Sequence, residues 1–181
     1  YFLVGVWIGT LPQYQIPISL EAGNIQTAPV SNLTTVAGEL GFWGIFTNNL
    51  RVIVLALGLS LISFGVAGYI IVPIVFIVLG YAASQLIGTG FGILYIAGLL
   101  PHGIIEIPII LIATAAMVRV GASLTKPPQD TTVGKAWRDA LGDAIQIGIG
   151  IVLPGLIISA LIETLVTFPL VQTLLNNMVG A

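Results

Sequence analysis

Four long apolar runs, almost free of charge, constrain this chain most: residues 50–71, 72–87, 93–124 and 145–168. A helix needs about 20 apolar residues to cross a bilayer. Only a helix or a closed barrel satisfies its own backbone there. The composition agrees. Hydrophobic residues make up 57% of the 181 residues and charged residues only 7%, against about 25% charged in a soluble domain. Such a chain lacks the polar side chains to cover a water-facing surface. The expected class is all-α, a polytopic transmembrane helical bundle forming a single integral membrane domain over residues 1–181. Cysteine is absent, which excludes disulfides and thiolate metal sites. The net charge is −2 and no basic run exists, so nucleic acid is excluded as a partner. The bilayer itself is the expected environment, and the expected location is the cell membrane, crossed several times.

Residues 1–9 are apolar but too short to span, and read as the outer end of a first span. No basic leader or small-residue cleavage pattern marks them as a signal peptide, and a processed interfacial segment is the alternative. Residues 10–49 read as an external loop without Lys or Arg. Within it, 16–22 suits a short amphipathic piece, and 38–46, rich in Gly and aromatics, an interfacial or re-entrant segment. Asn32-Leu33-Thr34 matches a glycosylation acceptor, with Asn32 as the candidate residue. The membrane helices are then 50–71, 72–87, 93–124 and 145–168, with the first two joined near Tyr69 to Pro73 and the last bent at Pro154. Residues 125–143 form a charged loop whose second half suits an amphipathic surface helix, and the chain closes in an amphipathic tail from Pro169. Four of the five basic residues (Arg119, Lys126, Lys135 and Arg138) lie in or beside that charged loop. The positive-inside rule makes it cytoplasmic. At the end of its span, Arg119 suits lipid phosphates or the helix C-terminus.

The third run carries the chemistry. Pro101-His102-Gly103 should break its helix, because proline disfavours helical geometry at the preceding residue. His102, the single histidine, precedes Glu106 by four residues, which places both on one helical face. A carboxylate at membrane depth costs about 2.5–3.5 kcal/mol on insertion scales and marks a functional candidate. His102 and Glu106 can form a structural pair, a proton relay or two metal ligands, with Glu163 a third ligand from another helix. Zinc needs at least three protein ligands, so the metal question stays open and no cofactor is implied. Glu163 otherwise sits solvated at the outer interface or pairs with a basic group. Asn49 and Arg51, at the head of the first full span, are candidates to join His102 and Glu106 in a polar core network. Arg51 has snorkelling as its alternative. Small residues recur in the spans and suit close helix packing or a homo-oligomer face. No nucleophile–base pattern stands out, so catalysis is the weaker expectation.

Three elements carry a family resemblance: Asn48-Asn49-Leu50-Arg51 opening a span, Pro101-His102-Gly103-Ile104-Ile105-Glu106, and the small-residue helix ending in Arg119-Val120-Gly121. With them the chain resembles the stage II sporulation protein M family. The resemblance implies a polytopic protein of five spans without a soluble catalytic domain. In spore-forming bacteria such proteins are similar to scaffolds holding cell-wall hydrolases, the stage II sporulation proteins D and P, at the engulfing septum. Relatives also occur in archaea and in bacteria that make no spores. The expected function is therefore a non-enzymatic membrane scaffold or assembly factor for membrane or envelope proteins. The alternative is a transporter or channel-like protein in which a broken helix and Glu106 handle a proton, ion or small solute. An intramembrane metalloenzyme is a third reading.

Overall fold

The computed structural model describes residues 1–15, 20–21, 24–25 and 28–179, with side chains described for 1–15 and 41–178. The fold is all-α. Its helices are α1 (Phe2–Thr10), α2 (Ala28–Ile62), α3 (Val66–Gly88), α4 (Gly92–Thr125), α5 (Val133–Ile147), α6 (Leu153–Ile162) and α7 (Phe168–Val179). A single turn of 3₁₀ helix, Pro12–Tyr14, follows α1, and a two-residue ribbon pairs Leu20–Glu21 with Asn24–Ile25. Four helical stretches are long and apolar enough to cross a membrane: Gly41–Ile62, Val66–Gly88, Gly92–Thr125 and Val133–Met178.

Several boundaries depart from the sequence reading. Helix α2 begins at Ala28, inside the expected external loop, and is interrupted at Gly41, whose φ of 52° with ψ of −169° is a combination essentially confined to glycine. That kink falls in the aromatic segment expected at the interface, where Trp43 is exposed and packs edge-on to Phe42. The side chain of Asn32 lies outside the described residues. The first two spans are joined not near Tyr69 and Pro73 but by a tight turn at Ser63, Phe64 and Gly65, and Pro73 lies inside α3. Phe64 and Gly65 take φ of 55° and 90°, and the Gly65 N–H donates to the Ser60 carbonyl at 2.7 Å. This closes α2 in a Schellman-type cap.

Residues 101–103 are helical, so the expected break is absent: α4 runs unbroken for 34 residues. The reason lies in the solvent. A break at membrane depth strips several backbone groups of partners, each costing several kcal/mol in hydrocarbon. Continuing the helix through Pro101 costs one N–H bond, the one to the Ala97 carbonyl. At two prolines beyond α5 the helix is instead widened. Pro154 and Pro169 each follow a π-helical segment, Gly148–Val152 and Glu163–Thr167. In each, the N–H after the segment reaches back five residues, Leu153 to Gly148 and Phe168 to Glu163. The wider turn draws a carbonyl away from the proline ring. Helical backbone therefore continues from α5 through α7. At about 1.5 Å per residue this run far exceeds the hydrocarbon thickness. Its two amphipathic ends, α5 and α7, are suited to the headgroup zone.

The chain divides into two compact units, each assembled from separate stretches. The first holds residues 1–45, 75–103 and 160–181. In it α1 crosses α3 at very short range. A Cβ on Gly5 would overlap the Ile77 carbonyl, and one on Gly80 would overlap the Phe2 carbonyl. Tyr81 Oη donates to the Tyr14 carbonyl at 2.7 Å, and buried Gln85 Nε2 to the Gly9 carbonyl at 2.9 Å. The second unit holds residues 46–74 and 104–159. Its core gathers Ala56, Ile109, Ala113, Met117, Val152 and Leu156. The α2–α3 turn sits against α4, where a Cβ on Gly121 would overlap the backbone of Phe64 and Gly65.

Candidate functional site

The polar groups of the apolar helices are arranged as rungs. On α4, His102 and Glu106 are one helical turn apart and share a face. On the run through α6 and the π segment after it, Ser159, Glu163 and Thr167 recur every four residues. In the first unit His102 Nδ1 lies 3.4 Å from Thr167 Oγ1. Which of the two donates depends on the imidazole tautomer. In the second unit Ser159 Oγ donates to Glu106 Oε2 at 3.3 Å. Ser159 is fully buried and Thr167 nearly so, while His102, Glu106 and Glu163 are half-buried.

Glu163 lies beside His102 in the first unit. Its carboxylate and a ring nitrogen of His102 come within 4.8 Å of each other. The cause is local: the π segment that begins at Glu163 ends in the buried Thr167, and Thr167 is the partner of His102. Chemically, one imidazole and one carboxylate can share a proton or hold a cation, and Glu106 follows His102 one turn along α4. The hydroxyls of Ser159 and Thr167 supply the remaining hydrogen-bonding capacity.

Of the other expected members, Asn49 is half-buried on α2 and Arg51 is exposed, so the structure does not draw the Arg51 guanidinium into a buried network. Pro101 and Gly103 are members of the helix, not a break in it. Sequence reading missed Ser159 and Thr167. Their four-residue spacing about Glu163 is the signal that points to them, because it puts all three on one face.

The comparison with protein families completes this picture. The family model for Stage II sporulation protein M matches residues 1–168. The chain belongs to that family. No curated protein and no solved structure matches it. Family membership and the four apolar helical stretches together make it a multi-pass membrane protein. The match includes both rungs, since His102, Glu106, Ser159 and Thr167 all fall within it.

Proposed function

We propose that this family member is a non-enzymatic scaffold or assembly factor of the cell membrane. One observation carries the reading: His102 and Glu106 on α4 meet hydroxyls of the same chain, His102 with Thr167 and Glu106 with Ser159. Groups placed this way serve to hold helix to helix in lipid, where hydrogen bonds between helices supply part of the association energy. Partners would then be met outside the hydrocarbon. The surfaces suited to this are the segment between α4 and α5, with Lys126 and Asp130 exposed, and the charged face of α5 with Lys135, Arg138 and Asp139. The resemblance to scaffolds of cell-wall hydrolases points to envelope proteins as the partner class. The test is affinity purification from native membranes with quantitative mass spectrometry, wild type beside Glu106→Gln. A stoichiometric envelope partner supports the scaffold, and a protein that purifies alone counts against it.

A second reading rests on the approach of His102 to Glu163 within 4.8 Å. An imidazole and a carboxylate at membrane depth are the means by which transporters relay protons or cations. Proton or cation flux in proteoliposomes that disappears in Glu163→Gln would favour it over the scaffold.

A further inference from the structure

A groove of about 270 Å³ runs along the second unit, with an almost wholly apolar lining. Among the residues facing it are Leu57 on α2, Ala113 and Ala116 on α4, and Leu141, Ala144 and Ile145 on α5. The alanines leave the space, since a larger side chain at either would fill it. We propose that this groove holds an acyl chain of one bilayer phospholipid, whose phosphate sits against Arg119 and Arg138.

The volume fits a hydrocarbon chain. A cavity of about 150 Å³ takes a six-carbon ring, so the groove takes a hydrocarbon chain on the order of ten carbons. An apolar lining offers nothing to water, which needs two to four polar partners.

The charges select the headgroup. Arg119 follows Ala116 by three residues on α4, and its guanidinium pairs with Asp143 on α5 at 2.7 Å while staying 62% exposed. Asp143 precedes the lining residue Ile147 by four residues on α5, as Arg119 follows the lining residue Ala116 by three on α4, so this ion pair borders the groove. Arg138 precedes Leu141 by three residues and Ile145 by seven, on the same side of α5, and is exposed. A guanidinium carries five donors in a planar fork. Asp143 therefore leaves Arg119 capacity to bind phosphate, the anion that this geometry suits best. Asp139 and Asp143 offset part of the local positive charge, which makes the acyl chain rather than net charge the main source of affinity. By the positive-inside rule this edge faces the cytoplasmic leaflet.

Trp137 reports on the site, because it precedes Leu141 by four residues and Ala144 by seven on α5. The experiment uses the full chain carrying Trp7→Phe and Trp43→Phe, delipidated in detergent and titrated with phosphatidylglycerol brominated in its acyl chains. Bromine quenches tryptophan at contact. The expected result is saturable quenching of Trp137 at one lipid per chain, with native mass spectrometry showing the same single adduct. Ala116→Phe should weaken binding at least tenfold by filling the groove. Arg138→Ala changes only an exposed side chain and should weaken it about threefold to tenfold without altering melting. Quenching that never saturates, or affinity unchanged in Ala116→Phe, overturns the site. Equal affinity for wild type and Arg138→Ala overturns the headgroup assignment. A dimer whose formation blocks quenching would give the groove to a second copy instead.

Discussion

Two close helix crossings, one in each unit, show how this chain coheres in lipid. At the first, Gly5 and Gly80 let the backbones of α1 and α3 touch, and Gln85 and Tyr81 then donate to the Gly9 and Tyr14 carbonyls. At the second, the α2–α3 turn rests on Gly121, and its shape is set by backbone: Phe64 and Gly65 at positive φ, and a Gly65 N–H bonded to Ser60. The first crossing joins two regular helices through small residues and side-chain hydrogen bonds. The second seats a turn in which Phe64 takes a left-handed φ that bulky residues rarely adopt. Apolar contact with a neighbouring helix gains little over contact with lipid tails. Shape and hydrogen bonds must therefore decide which helices meet, and the two crossings weight those terms differently.

The difference is tested most sharply at Gly121. Gly121→Ala places one methyl group against the backbone of Phe64 and Gly65. It should destabilise by about 3 kcal/mol or more, the upper range of overpacking, read as loss of monodisperse protein on gel filtration in detergent. Normal yield and melting would show that the turn is not seated as described. The same change at Gly80 meets the Phe2 carbonyl, where a shift of the nine-residue helix α1 is the expected relief. A loss of about 1–2 kcal/mol is expected there; a collapse equal to that of Gly121→Ala would erase the distinction between the crossings.

Smaller effects probe the polar bonds. Glu106→Leu leaves the buried Ser159 hydroxyl without its acceptor, a cost of about 1–3 kcal/mol. Glu106→Gln keeps a carbonyl oxygen there and should melt within about 1 kcal/mol of wild type. If the two variants melt alike, the rung contributes nothing. Gln85→Leu removes the bond to Gly9 and should lower stability by about 0.6 kcal/mol, the mean for such bonds in a membrane protein. The smallest effect is expected at Ser60, which is buried with a hydroxyl that has no partner among the described residues. Ser60→Ala should leave melting unchanged or slightly raised, since it removes an unsatisfied polar atom. A marked loss would reveal a partner for that hydroxyl.

The sequence by itself determined the class of this protein. Runs as long and apolar as 50–71, 72–87 and 145–168 point to helices at membrane depth, because hydrocarbon gives the backbone no partner outside the protein. It also located His102 and Glu106 on one face, and their spacing carries that information wherever the helix is intact. Three things waited for the tertiary structure. One was the continuity of α4 through Pro101: local preference opposes it, and the cost of unpaired backbone in lipid overrides that preference. Another was the turn at Phe64, where a bulky residue at positive φ persists because Gly121 makes room for it. The last was the partnership of His102 with Thr167 and of Glu106 with Ser159. Spacing places side chains on the face of their own helix, but only packing decides which other helix that face meets.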